Sequence, residues 1–82
     1  MLKGIIRGNI VSTRKQDSLV GSKFMEVHII KNGELTDNFI VAIDSVGAGI
    51  GETVLITTGS SARLALHNTQ APADAVIVGI VD

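Results

Sequence analysis

Residues 44–52, which read Asp-Ser-Val-Gly-Ala-Gly-Ile-Gly-Glu, have the alternating glycines of a phosphate-binding loop. Such a loop holds phosphate oxygens with backbone N–H groups and must lead into a helix, whose N-terminus supplies more of them. Residues 53–58 are instead rich in β-branched side chains and predict a strand. Glu52 also occupies the place of the last glycine in G-x-G-x-x-G, where a carboxylate would repel a phosphate. We therefore expect a tight loop between two strands, suited to close backbone approach or to lining a narrow opening.

The other residues that could do chemistry do not form a recognised constellation. Ser60, His67 and Asp44 could supply a catalytic triad, but no nucleophile elbow surrounds the serine. Carboxylates at the ends of predicted strands are interpreted as solvated groups or as partners of an arginine. His28 and His67 are isolated, and without further ligands they do not make a metal site. We therefore predict a protein that is not an enzyme and has no catalytic, cofactor-binding or metal-binding residue.

The composition describes a small domain with more apolar surface than it can bury alone. The chain has 82 residues, which predict one domain over 1–82, and 45% of them are apolar. A chain of this size buries only about 60 to 65% of its unfolded surface. No cysteine is present to form a disulfide or a thiolate metal site, so oligomerisation is the remaining means of stabilisation. The net charge of −1 and the lack of a long apolar run indicate no nucleic-acid or membrane partner, and we expect a cytosolic protein.

Hydrophobic periodicity predicts five strands and one short helix. The strands cover residues 2–13, 23–31, 38–43, 53–58 and 75–81, and the helix covers residues 62–66 after a cap at Ser60 or Ser61. In the first strand the alternation directs Gly4, Gly8 and Ile10 inward, with the glycines at a tightly coiled barrel corner. Asn32-Gly33 predicts the hairpin between the second and third strands. The last strand is apolar on both faces, so we expect one face to meet a neighbouring subunit or the short helix.

Five strands with a short helix before the last predict an all-β fold, a small closed antiparallel barrel of the oligonucleotide-binding (OB) type. Barrels of this type that bind single-stranded nucleic acid use exposed aromatic platforms in a positive groove. The aromatic residues here are Phe24 and Phe39, and both lie in apolar strand contexts that are typical of a core. A binding module for single-stranded nucleic acid or a small ligand is therefore the alternative function rather than the preferred one.

Five stretches spread along the chain are informative together. They are residues 13–15 (Thr-Arg-Lys), 18–23 (Ser-Leu-Val-Gly-Ser-Lys), 42–52 (Ala-Ile-Asp-Ser-Val-Gly-Ala-Gly-Ile-Gly-Glu), 59–63 (Gly-Ser-Ser-Ala-Arg) and 74–82 (Asp-Ala-Val-Ile-Val-Gly-Ile-Val-Asp). In this order and spacing they resemble the EutN/CcmL family, the pentameric vertex proteins of bacterial microcompartment shells. The resemblance implies an OB-like barrel that forms a homopentamer and caps the corners of a polyhedral shell, beside hexameric tile proteins, in the bacterial cytoplasm. It implies no cofactor.

The family resemblance also implies a narrow opening on the five-fold axis. The expected rim residues are Gly47, Ala48, Gly49, Ile50 and Gly51. Small residues allow five backbones to converge, although a tight turn between subunits would use glycine equally well. Five copies of Glu52 near an axis would repel one another, so we expect this carboxylate to lie back from the axis or to accept N–H groups. The expected subunit-contact residues are Glu52, Ser60, Arg63, Ile77 and Val81.

Overall fold

The computed structural model describes residues 1–10, 23–59, 62 and 75–82. Its strands are β1 (Leu2–Ile10), β2 (Lys23–Lys31), β3 (Glu34–Asp44), β4 (Thr53–Thr58) and β5 (Ala75–Val81). They close into a barrel in the order β1-β2-β3-β5-β4, which confirms the predicted five-stranded barrel. The short helix predicted over 62–66 lies outside the described residues apart from Ala62, as do residues 11–13 at the end of the first predicted strand.

The expectation of a fully antiparallel barrel is wrong. Four of the pairings are antiparallel, but β3 and β5 pair in parallel at Ile43 with Val76 and at Asp44 with Ile77. The reason is parity, because an odd number of strands cannot close into a ring with every neighbour antiparallel. The parallel pair is short and joins the end of β3 to the beginning of β5, where the barrel closes.

Alternating inward side chains fill the barrel. The inner cluster consists of Ile6, Met25, Val27, Ala42, Ala48, Val54, Ile56 and Ile77, all of them buried. The interior is narrow enough to demand glycine at one position. A Cβ at Gly4 would lie 2.6 Å from the Val27 Cγ1 atom and 2.6 Å from the His28 carbonyl oxygen, so the predicted inward, crowded position of Gly4 is confirmed.

The β2–β3 hairpin turns at Asn32-Gly33, as predicted. Both residues have positive φ, 54° and 79°, which is the conformation of a type I′ turn. The third strand nevertheless begins at Glu34 rather than at the predicted residue 38. A bulge hides its first half from the periodicity, because residues 36–38 on β3 lie opposite the single residue Ile29 on β2.

A bulge in β1 changes the direction of the side chains that follow it. Ile6 pairs with Val27 and Gly8 with the next residue on β2, Glu26, so Arg7 is the extra residue. Directly paired residues share a face of the sheet, and Glu26 lies on the outer face. The predicted inward position of Gly8 is therefore wrong. Ile10 turns outward for the same reason, since it pairs with Phe24 outside the barrel.

A second single-residue bulge divides β5. Ile77 pairs with Ile56, whereas Gly79 pairs with Leu55, so Val78 is the extra residue. Ile77 consequently faces the barrel interior, and Gly79 and Val81 face outward. Outside the barrel, an outer cluster of Ile43, Ala62 and Val76, with Phe24 and Val78 packed against it, covers the first half of this strand. The outer apolar face of β5 is thus partly buried within the subunit.

Candidate functional site

The glycine loop between β3 and β4 begins with a turn capped by Asp44. The Oδ1 atom of Asp44 accepts hydrogen bonds from the backbone N–H groups of Val46, at 3.0 Å, and Gly47, at 3.1 Å. Aspartate commonly closes a turn in this way, because its short side chain imitates a backbone carbonyl. Gly47 has a φ of 80°, which only glycine adopts readily, so the chain can leave the turn at this point. Asp44 therefore shapes the beginning of the loop.

The loop ends in a second turn that Glu52 holds from both its backbone and its side chain. The Glu52 N–H donates to the Gly49 carbonyl oxygen at 3.1 Å, and the Gly49 N–H donates to the Glu52 Oε1 atom at 2.6 Å. Gly51, the third residue of this turn, has a φ of 91°, as a type II turn requires. The expectation that Glu52 accepts N–H groups is confirmed. The short, charge-assisted contact also explains why a carboxylate follows the glycines.

Three contacts fix the glycine loop to the barrel wall. Gly51 donates its N–H to the Ile6 carbonyl oxygen at 2.8 Å, and Ile6 donates to the Glu52 carbonyl oxygen at 3.1 Å, so the loop extends the β1–β4 ladder. Ser45 Oγ donates to the Ile77 carbonyl oxygen at 2.6 Å. The loop is therefore tied to β1 and to β5, and its shape is set by hydrogen bonds rather than by side-chain bulk.

The candidate rim residues do not all reach the surface. Ala48 is 3% exposed and belongs to the inner cluster, so its side chain packs beneath the loop and it offers the proposed rim only its backbone. Ile50 lies at the tip of the second turn and is 62% exposed. Val46, next to the first turn, is also exposed. The loop therefore presents backbone at its glycines and two apolar side chains to the outside.

The candidate subunit-contact residues that the structure describes also divide into exposed and buried ones. Val81 is exposed on the outer face of β5, and Glu52 is exposed although its carboxylate is bound by Gly49. Ile77 is 0% exposed in the single subunit, because it faces the barrel interior, whereas Val81 lies beyond the bulge at Val78 and faces outward. Ser60 and Arg63 lie outside the described residues.

Groups that could do other chemistry are scarce in the described part of the chain. In the described ranges no three metal-ligating side chains come together, and no helix is long and apolar enough to cross a membrane. His67 and Asp74 lie outside those ranges. His28 Nε2 lies 2.8 Å from Glu26 Oε2, and its Nδ1 lies 3.3 Å from the Thr36 carbonyl oxygen. These contacts tie the histidine to its own hairpin.

The exposure of Phe39 differs from what its sequence context predicts. Phe39 was predicted to lie in the core, but it is 53% exposed and stacks on His28 with ring centroids 5.6 Å apart. Its partner across the strands is His28, which lies on the outer face, and only a knowledge of the β3 bulge would have indicated this. Phe24 is half-buried and packs against the outer cluster rather than inside the barrel.

Comparison with known proteins agrees with this architecture over the whole chain. The family model described as "Ethanolamine utilisation protein EutN/carboxysome" matches residues 1–82. The microcompartment shell vertex protein PduN of Salmonella typhimurium is 45% identical to this chain, in an alignment that covers 94% of this chain and 90% of PduN.

Two solved structures have the same fold. The structure of CcmL from a Nostoc species superposes with a TM-score of 0.93 at 45% identity, covering 100% of this chain and 89% of CcmL. The pentameric microcompartment shell protein GrpN of Rhodospirillum rubrum superposes with a TM-score of 0.90 at 40% identity, covering 100% of this chain and 94% of GrpN. With the closed barrel and the glycine loop in the same chain, these matches show that the protein belongs to the EutN/CcmL family.

Proposed function

We propose that this chain is a structural vertex protein of a bacterial microcompartment shell and that it assembles as a homopentamer. The observation that carries the proposal is the nearly full-length match to shell vertex proteins. One of the matched proteins is a pentamer, and its solved structure superposes on this chain over its entire length. The matched proteins are named for a place in a shell and not for a reaction. The described residues are consistent with this, because the carboxylates of the glycine loop are occupied in holding turns.

A pentamer supplies what a flat layer of hexagonal tiles lacks. Hexagonal tiles alone form a plane, and replacement of some tiles by five-fold units introduces the curvature that closes a polyhedron. We infer that the partners of this chain are four further copies of itself and the hexameric tile proteins around it, within a shell in the bacterial cytoplasm. Surplus apolar surface supports such an assembly, since large side chains such as Ile50 and Phe39 are more than half exposed in the single subunit.

Within the pentamer we propose that the glycine loop lies at the five-fold axis. Gly47, Gly49 and Gly51 have no side chains that would keep neighbouring copies apart, and Ile50 projects from the tip of the second turn. The carboxylate of Glu52 accepts the Gly49 N–H, which reduces the repulsion between copies that are close together. Glu52, Val81 and the undescribed residues Ser60 and Arg63 remain the proposed subunit-contact residues from the sequence.

The alternative function, binding of single-stranded nucleic acid, has one observation in its favour. Phe39 is exposed on the outer β2–β3 face, which OB barrels use for oligonucleotides, and it stacks on His28. Acidic side chains outnumber basic ones on the same hairpin, with Glu26, Glu34, Asp37 and Asp44 against Lys23 and Lys31, and the whole chain carries a net charge of −1. A phosphate backbone would be repelled by such a surface, so the vertex function is the better supported one.

Native mass spectrometry of the purified protein tests the proposal. We expect a single pentameric species at micromolar concentration and no retention of single-stranded DNA or RNA at low salt. A monomer at that concentration would contradict the pentamer. Oligonucleotide binding that weakens steeply with added salt would instead support the alternative function.

A further inference from the structure

Two strand glycines, Gly8 and Gly79, face outward, and no contact with the described residues accounts for them. Glycine is unfavourable within a strand unless a positive φ, a crowded contact or a close backbone approach requires it. A Cβ at Gly8 would meet nothing within 4 Å, and one at Gly79 would meet the Leu55 side chain at an ordinary 3.8 Å. Gly4 is the contrast, because a Cβ there would overlap Val27 inside the barrel.

The adjacent bulges do not explain the two glycines. Gly8 follows the bulged residue Arg7, and Gly79 follows Val78. The bulge type that requires glycine places it at positive φ, and neither Gly8 nor Gly79 has a positive φ. With no cause among residues 1–10, 23–59, 62 and 75–82, the reason that fits an outward-facing glycine is the close approach of another backbone.

Gly8 lies within an outward face that crosses three strands and carries exposed apolar side chains beside a Glu–His pair. It pairs with Glu26, which in turn pairs with Val41 on β3, while the neighbouring pair consists of His28 and Phe39. Val41 is 45% exposed and Phe39 more so. We call Gly8, Glu26, His28, Phe39 and Val41 the β1–β3 face. On this face His28 Nε2 lies 2.8 Å from Glu26 Oε2, so these two polar side chains are paired with each other.

Gly79 lies within a second face on the other side of the barrel. It pairs with Leu55, and the adjacent outward pair consists of Thr53 and the exposed Val81. We call Leu55, Gly79 and Val81 the β4–β5 face. The two faces are built from different strands and differ in shape, since one carries an aromatic pair and the other small and aliphatic side chains.

We propose that the β1–β3 face of one subunit packs against the β4–β5 face of the next subunit in the ring. This inference rests on the proposed pentamer, because a five-membered ring needs head-to-tail contacts between two unlike surfaces. Each glycine lets the backbone of the neighbour approach the strand. Two contacts of about 800 Å² each would cover roughly a third of the 5170 Å² surface of the subunit, which is consistent with its surplus of exposed apolar side chains.

Single tryptophan substitutions test the two faces, because the chain has no native tryptophan or tyrosine. The variants are Gly8→Trp and Gly79→Trp, with Val41→Trp as a second variant on the β1–β3 face. The matched control is Lys31→Trp, at the exposed hairpin end of β2 and outside both faces. Circular dichroism checks that each variant folds, native mass spectrometry gives the size of the assembly, and tryptophan emission reports whether the indole is in water.

On this proposal, Gly8→Trp and Gly79→Trp remain folded, and each dissociates from the ring at a protein concentration about tenfold or more above that of the wild type. A glycine variant can also keep its ring. If its tryptophan then emits at a shorter wavelength than that of Lys31→Trp, the indole lies in the subunit contact, which supports the proposal. If Gly8→Trp does not fold, Val41→Trp gives the same two readouts for that face.

Three results would overturn the inference. The first is a pair of glycine variants that form wild-type pentamers and emit like the solvent-exposed Lys31→Trp control. The second is an effect on one face alone, because a head-to-tail contact requires both. The third is a change in emission of Val41→Trp on addition of single-stranded DNA, which would assign the β1–β3 face to nucleic acid. A wild-type protein that is not pentameric would refute the proposed function itself, whatever the variants do.

Discussion

Two carboxylates in the glycine loop show how the role of a residue depends on its neighbours in sequence. Asp44 and Glu52 were considered as catalytic or repulsive groups, and each instead accepts backbone N–H groups within three residues of itself. The sequence contains a signal for the role of Asp44, since an aspartate three residues before a glycine often caps a turn. The role of Glu52 was anticipated only as one of two options. Both turns need glycine at positive φ, at Gly47 and Gly51.

The hydrogen bond between Gly49 and Glu52 predicts the effect of removing the carboxylate. Glu52→Ala leaves the Gly49 N–H without its acceptor at 2.6 Å, and we expect the free energy of unfolding to fall by about 1 kcal/mol. Urea unfolding at one fixed protein concentration measures this, since ring formation also affects apparent stability. Glu52→Gln is the control, because its amide oxygen can still accept the N–H group, and it should recover at least half of the loss. Equal stability of all three proteins would show that the contact does not hold the turn.

At the scale of the strands, sequence periodicity was reliable up to each bulge and wrong beyond it. All five strands and the Asn32-Gly33 turn were predicted, with β3 beginning too late. The face of every residue before Arg7 and before Val78 followed from alternation, whereas Gly8 and Val81 changed sides relative to Ile6 and Ile77. A bulge adds one residue to one strand only, and a single sequence carries no signal of which residue lacks a partner. The inward prediction for Gly8, and the grouping of Ile77 with Val81 on one face, fail for this reason.

The bulge in β3 is held by a side chain whose removal can be tested. Thr36 Oγ1 donates to the Ile29 carbonyl oxygen at 2.7 Å across the bulge. Thr36→Val keeps the shape of the side chain but leaves this carbonyl without its donor, so we expect a loss of about 1 kcal/mol in the free energy of unfolding. Thr57→Val on β4 is the matched control, since its half-buried hydroxyl makes no hydrogen bond with the described residues, and it should change stability by less than about 0.5 kcal/mol. Thermal unfolding with matched protein concentrations distinguishes the two variants. A Thr36→Val protein as stable as the control would assign the bulge to other forces.

The barrel buries the apolar side chains of its interior, whereas apolar side chains on its outer surface remain exposed. The inner cluster fills the barrel, and the outer cluster covers the beginning of β5, yet apolar side chains remain exposed on several strands. Composition alone indicated this surplus, and with it the need for an oligomer. It could not indicate which surfaces meet, because contact between subunits depends on outward faces that the bulges redefine. The proposed rim likewise depends on five copies, so one chain gives the shape of the glycine loop but not its distance from an axis.

Gly49→Gln tests the proposed place of the glycine loop at the axis. Gly49 has no positive φ, and a Cβ there would meet only Glu52 Oε1, at 3.4 Å, so the isolated subunit should accept the substitution. Five glutamine side chains at one axis would crowd each other, and we expect a folded protein whose pentamer is weaker in native mass spectrometry. Lys31→Gln, on the distant hairpin, should assemble normally. A Gly49→Gln pentamer of normal stability with an unchanged central opening in a crystal structure would remove the loop from the rim and leave the vertex function in place.

The single-residue bulges at Arg7 and Val78 have a consequence for how the gene can change in length. Loss of one codon elsewhere in a strand shifts the pairing and turns every later side chain to the opposite face. Loss of Arg7 would instead place Gly8 beside Ile6 with both existing cross-strand partners unchanged, and loss of Val78 would do the same for Gly79 and Ile77. At these two positions of the barrel strands a codon can therefore be deleted while every later side chain keeps its inner or outer orientation.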